Sequence, residues 1–150
     1  MVTIKIILSI LVILGYFFFT LFLFPLLYIS PFKMRKVLAH IVSLSARLIL
    51  LILNIKVTPL NISKNGRGNL IVCNHLSYID ILVLSSQLPA CFVTSIEMKK
   101  TLGVGQICML AGCVFVERRS RDKIDFELQD IENSLLHGNN VLFFPEAKST

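Results

Sequence analysis

The chain has 150 residues, 55% of them hydrophobic, with a mean hydropathy of +0.76. It holds one modest domain, and part of its length is withdrawn from any water-soluble core. The net charge of +6 arises in residues 1–60, where Lys5, Lys33, Arg35, Lys36, Arg47 and Lys56 stand without one acidic residue, whereas residues 61–150 carry nine basic and nine acidic side chains. Cations clustered beside apolar segments address a membrane surface, so the basic balance does not indicate a nucleic-acid-binding domain.

From Ile6 to Ile29 no charged residue occurs over 24 positions. A helix of that length measures about 36 Å and crosses a hydrocarbon core of about 30 Å with some tilt. The run is too long for the apolar part of a signal peptide, and Tyr28, Pro31 and basic residues follow it. A retained transmembrane segment is therefore expected over residues 4–30. A second apolar helix is expected over 37–54, interrupted only by His40 and Arg47. It suits an interfacial helix, a re-entrant one, or one packed beneath the soluble part. Ser30-Pro31 is the expected turn between the two. Lys33, Arg35 and Lys36 outweigh Lys5, which puts the C-terminal part on the cytoplasmic face, that of a bacterial inner membrane or its equivalent.

Residues 55–150 then form a second unit. The stretch 54–63 alternates and is rich in β-branched residues, so it reads as strand, and 64–69 carries turn chemistry. Residues 70–73 read as a short buried strand and 77–87 as a helix with Ser77 at its N-cap. Strands are expected over 91–95, 113–116 and 141–144. Residues 99–111 read as a helix broken by Gly103 and Gly105. Residues 121–136 read as a clear helix with Ile124, Leu128, Ile131 and Leu135 on one face, stopped by Gly138. Strands alternating with helices give an α/β class with a mixed, largely parallel sheet flanked by helices. Thr150 follows directly on a strand and a turn motif, so the sequence is expected to be the N-terminal piece of a longer protein. Cys73, Cys91, Cys108 and Cys113 form no C-x-x-C pair and read as small hydrophobes. His40, His75 and His137 lie far apart with no flanking ligands, so no metal site is expected.

Three stretches carry candidate chemistry. The first is Asn74-His75 with Asp80 five residues beyond the histidine. On one helix these two would point about 140° apart. With His75 in a loop after a strand and Asp80 in the first turn of the next helix, the carboxylate can hold one ring nitrogen and leave the other as a base. The competing reading is a helix-capping aspartate beside a surface histidine. The second stretch is Gly112 to Arg121, a strand ending in Glu117-Arg118-Arg119. Arginine there suits an anionic oxygen such as phosphate, and a solvated basic cluster balanced by nearby acids is the alternative. The third is Leu142 to Thr150, where a strand runs into Pro145-Glu146. A carboxylate at the C-terminal end of a strand sits where α/β proteins place their sites, and an exposed turn glutamate is the alternative.

In order and spacing, the three together resemble the glycerolipid acyltransferases. Asn74-His75-x-x-x-x-Asp80 is similar to their N-H-x-x-x-x-D motif, Gly112-x-x-Phe115-x-x-Arg118 to their G-x-x-F-x-x-R block, and Phe144-Pro145-Glu146 to the start of F-P-E-G-T-R-S. The resemblance covers about residues 30–150 and is greatest to the 1-acylglycerol-3-phosphate branch. It implies the glycerol-3-phosphate acyltransferase-like fold. It also implies acyl transfer from acyl-CoA or acyl carrier protein, as co-substrate thioester with no cofactor or metal, to lysophosphatidate. His75 would be the base, Asp80 its orienting partner, and Arg118 the phosphate ligand. Glu146 would position the glycerol part; Asn74, Gly112, Phe115, Pro145 and Lys148 complete the expected acceptor site. Lys99 or Lys100 are further phosphate contacts, and Ser77 is not a nucleophile. Membrane lipids and the acyl carrier are the implied partners. The chain departs from the third block: Ala147, Lys148 and Ser149 stand where Gly, Thr and Arg are usual. Lys148 supplies a point charge instead of a planar fork, which leaves lysophosphatidylcholine, glycerol phosphate and lyso-ornithine lipid open as acceptors. A non-catalytic membrane-anchored partner protein is the reading from another class. A serine hydrolase is disfavoured because no G-x-S-x-G occurs.

Overall fold

The computed structural model describes residues 2–59, 68–74, 77–117 and 124–145. Its elements are α1 (Val2–Leu23), α2 (Leu26–Ile29), α3 (Pro31–Leu53), β1 (Leu70–Val72), α4 (Tyr78–Gln87), β2 (Ala90–Ser95), α5 (Ile96–Lys99), α6 (Val104–Leu110), β3 (Val114–Val116), α7 (Ile124–Leu136) and β4 (Asn140–Phe143).

The expected single helix over 4–30 is two helices. Pro25 has no N–H and cannot continue α1, so the chain turns at Phe24-Pro25 before α2. The second helix begins at Pro31, six residues earlier than expected, because proline at the first helical position removes a donor that has no partner there anyway. Both α1 and α3 are long and apolar enough to cross a membrane. They form a hairpin in which Lys5 Nζ donates to Leu53 O at 3.5 Å.

The second apolar helix packs against the α/β unit. Leu38, Ala39, Ser43, Ala46 and Leu50 are its buried residues. The small side chains among them let α3 approach α4, where Ser85 and Ser86 are also buried. Arg47 Nε donates to Ser86 O at 2.7 Å. At the other end Arg35 makes a two-pronged pair with Asp130 of α7, at 2.7 and 2.8 Å, and donates to Ser134 Oγ at 3.0 Å. Phe32 stacks on His137 with centroids 4.3 Å apart, and Asn139 Nδ2 donates to Phe32 O at 3.0 Å. These contacts lie before β2, β3 and β4, so α3 runs along the edge of the sheet where its strands begin. Tyr16, midway along α1, donates its hydroxyl to Ile107 O of α6 at 3.1 Å. The outward face of α1 is bare apolar surface, with Phe18, Phe19 and Phe22 exposed.

The described sheet has four strands in the order β1-β4-β2-β3, all parallel. Ala90, Phe92 and Leu142 pack on one face with Ile71, Ile81 and Leu84. Val93, Val114 and Val141 pack on the other with Ile131 and Leu135 of α7. Two expectations need correction here. Residues 55–59 form no strand: Ile55 N–H is spent on Leu50 O in closing α3, and Pro59 has no donor for a ladder. Residues 60–67 lie outside the described segments. The strand expected as buried over 70–73 is an edge strand of the described sheet, with Leu70 55% and Val72 59% exposed. Leu128, on the predicted apolar face of α7, is exposed.

Three helices end alike, with Asn54, Gly112 and Gly138 at positive φ. At each, two backbone N–H groups return to the last turn, as Gly112 N–H to Met109 O and Cys113 N–H to Cys108 O, both at 3.1 Å. All four cysteines are free, and Cys91 is buried.

Candidate functional site

Parallel strands deliver every strand's C-terminal end to one edge of the sheet, where α/β proteins build their sites. The chain leaves β1 there as Cys73-Asn74, β4 as Phe144-Pro145, and β3 as Glu117, so the three motif-bearing stretches meet at this edge. Cys73 N–H donates to Phe143 O at 3.2 Å and extends the β1–β4 ladder by one residue. The exits of β1 and β4 are therefore neighbours. The exit of β3 is three strand spacings from β1, about 14 Å.

Asp80 sits in the first turn of α4, as expected. Ser77 Oγ accepts from Ile79 N–H at 3.1 Å, and Asp80 Oδ2 accepts from Ser77 N–H at 2.8 Å. The capping reading thus describes one of its oxygens. A carboxylate has two oxygens and about four acceptor sites, so capping does not exhaust it. The cap holds the carboxylate in the first turn of α4, five residues after His75 in sequence. His75 itself lies outside the described residues. Asn74 is exposed at the end of the ladder.

In the second block, Gly112 owes its place to the backbone. Its φ is +70°, and a Cβ there would meet Arg35 Cγ and Leu38 Cδ1, both at 3.3 Å. It is the meeting point of α6, β3 and α3, at the sheet edge opposite the motif exits. Phe115 pairs with Thr94 in the β2–β3 register, and the Lys99 ammonium lies 5.5 Å from its ring centroid. One of the two lysines singled out by sequence therefore stands beside the second block. Glu117 N–H donates to Glu127 Oε1 of α7 at 2.7 Å, which joins the last described residue after β3 to α7. Arg118 lies outside the described residues.

In the third block, Phe144 packs near Phe92 with centroids 6.2 Å apart, and Pro145 is exposed. Glu146 and Lys148 lie outside the described residues. Among the described residues, no group of three His, Cys, Asp or Glu side chains is placed to hold a metal ion. Sequence reasoning missed Arg35 and Tyr16, which tie the apolar helices to the α/β unit. Tyr16 is a lone tyrosine in an apolar run, whereas Arg35 sits in the basic stretch with Lys33 and Lys36 and carries no signal of its own.

A family model described as Acyltransferase matches residues 54–150. The chain is 36% identical over 87 residues to a 1-acyl-sn-glycerol-3-phosphate acyltransferase of Neisseria gonorrhoeae, which is 58% of this chain and 34% of that protein. It is also 36% identical over 84 residues to a lyso-ornithine lipid O-acyltransferase of Rhizobium meliloti, 56% of this chain and 29% of that one. The chain thus spans about a third of the length of the curated relatives it matches. No solved structure matches it.

Proposed function

This chain belongs to the Acyltransferase family, and from that premise we propose that it transfers a fatty acyl group from acyl-CoA or acyl carrier protein to the free hydroxyl of a membrane lysolipid. The acceptor we favour is 1-acylglycerol-3-phosphate, with phosphatidic acid as product. The observation that carries the reading is the parallel sheet, which gathers the exits of β1, β4 and β3 at one edge, together with Asp80 locked at the start of α4.

His75 takes the acceptor's hydroxyl proton as the oxygen attacks the thioester carbonyl. Asp80 holds the ring tautomer and stabilises the imidazolium. The tetrahedral oxyanion collapses, the thiolate of the acyl carrier leaves, and it takes back the proton from His75. Glu146, three residues after β4 in sequence, orients the glycerol part. Arg118, two residues after β3 in sequence, binds the phosphate. Lys99 and Lys100 are further phosphate contacts. Membrane attachment is through the outward face of α1, with the α/β unit on the cytoplasmic face.

A second acceptor, a lyso-ornithine lipid, is favoured by one specific observation. Ser149 stands where the third block usually has arginine, so the fork that reads a phosphate is missing, and relatives with that printed activity match over much the same share of the chain. The test is acyl transfer in membranes from labelled acyl-CoA, with both acceptors, for the wild-type full-length gene product and His75→Ala. Loss of a general base lowers the rate about 10²–10⁴-fold. A mutant that keeps wild-type rates ends the proposal.

A further inference from the structure

We propose that the turn joining α5 to α6 is a second membrane contact: Leu102 inserts into the bilayer at the motif edge of the sheet. This rests on the acyl-transfer reading for its purpose but not for its test.

Leu102 is 90% exposed, the highest value among the described large hydrophobic residues. It stands in a tight turn whose Gly103 has φ +81°. Gly103 N–H donates to Gln106 Oε1 at 2.6 Å, so the turn is held in shape while its one large apolar side chain points away from the protein. An apolar tip this bare on a braced turn has nothing to pack on within the described chain.

The surroundings identify the occupant as a lipid surface. Lys99 and Lys100 precede the tip and are exposed, which matches the anionic headgroup layer just above an inserted side chain. The turn leads directly into α6, which is tied to the membrane-directed α1. Tyr16 of α1 bonds Ile107 O, and Ile107 is itself 42% exposed.

The consequence is orientation. α3 runs along the sheet edge where the strands begin, whereas the turn follows the C-terminal end of β2, at the edge where the motif stretches emerge. A second point at Leu102 turns the motif edge toward the bilayer, where a single-chain lipid acceptor resides.

The 150 residues contain no tryptophan, so an introduced one can be read as the difference from the parent. The protein expressed from its gene is prepared as Leu102→Trp, with Phe22→Trp on α1 as the membrane reference and Leu128→Trp on α7 as the aqueous one. Each is reconstituted in vesicles of phosphatidylcholine with phosphatidylglycerol. The expected result for Leu102→Trp is a blue-shifted emission, quenched by lipids brominated on the acyl chain and protected from aqueous iodide, as for Phe22→Trp. Emission at the position of Leu128→Trp, quenched by iodide, overturns the proposal. In the activity arm, Leu102→Asp raises the apparent KM for a vesicle-borne acceptor about tenfold and leaves the rate on a short-chain, water-soluble acceptor unchanged. An equal loss on both acceptors overturns the membrane role. Should no acyl transfer occur in the parent, the acyl-transfer reading falls, and the fluorescence arm still decides where Leu102 lies.

Discussion

Replacing Gly112 by alanine separates a backbone role from a substrate-binding one. The residue occupies φ +70° at the end of α6, where two N–H groups close the helix. A side chain pays about 1–2 kcal/mol to adopt that region. The added Cβ also meets Arg35 Cγ and Leu38 Cδ1 at 3.3 Å; Leu38 is wholly buried, and Arg35 is clamped by Asp130. Neither can withdraw without disturbing the docking of α3, which adds a strain contribution of about 1 kcal/mol. The sum, about 2–3 kcal/mol, lowers the melting temperature by roughly 4–12 °C for a chain of this size class. Differential scanning fluorimetry in detergent measures it, alongside KM for the acceptor below the melting transition. Lower stability with an acceptor KM within about twofold of wild type is expected, a tolerance below 1 kcal/mol. An unchanged melting temperature with a weakened KM would refute the reasoning and return Gly112 to the substrate site.

The Arg35–Asp130 pair gives a further expectation. Its side chains are 14% and 30% exposed, so water screens the charge that either single change leaves behind. Arg35→Gln should cost about 1–3 kcal/mol, below the value for a fully buried pair. The exchanged pair, Arg35→Asp with Asp130→Arg, should recover part of the loss in thermal unfolding, and strictly additive losses would deny the coupling. Cys91 yields a pH expectation. Burial pushes its thiol up to about 11, with the nearby Arg35 cation opposing and Asp130 adding to the rise. The folded state resists the thiolate more than the unfolded chain does, so the stability associated with this group is complete below the unfolded pKa near 9 and declines as pH rises towards 11. Cys91→Ser, whose hydroxyl does not ionise there, should flatten that part of the profile measured by denaturant unfolding. An identical slope in the variant would assign it elsewhere.

The order of strands and helices was legible in the sequence because the signals are local. Ser77 and Asp80 announce the start of α4 through their own side chains, and Gly138 ends α7 by freedom at φ. The apolar runs with their basic flank marked a membrane-directed pair before any contact was known. Pro25 was legible too, but the unbroken apolarity around it masked the helix break. Leu70 to Cys73 was read as buried because an apolar run gives no sign of whether a strand is central or at an edge. That depends on which strands pair beside it, and the order β1-β4-β2-β3 brings β4 from 70 residues away to lie between β1 and β2. The motif spacing in turn named the residues of the candidate site, but it carried no sign that Gly112 lies at positive φ against Arg35 and Leu38, at the sheet edge opposite the other motif exits. The sequence by itself determined the elements, their caps and the membrane-directed charge, because each follows from neighbours within a turn or two. Only the tertiary structure decided that α3 lies under the strand beginnings and that the motif stretches share the opposite edge, because those positions are set by packing between segments far apart in the chain.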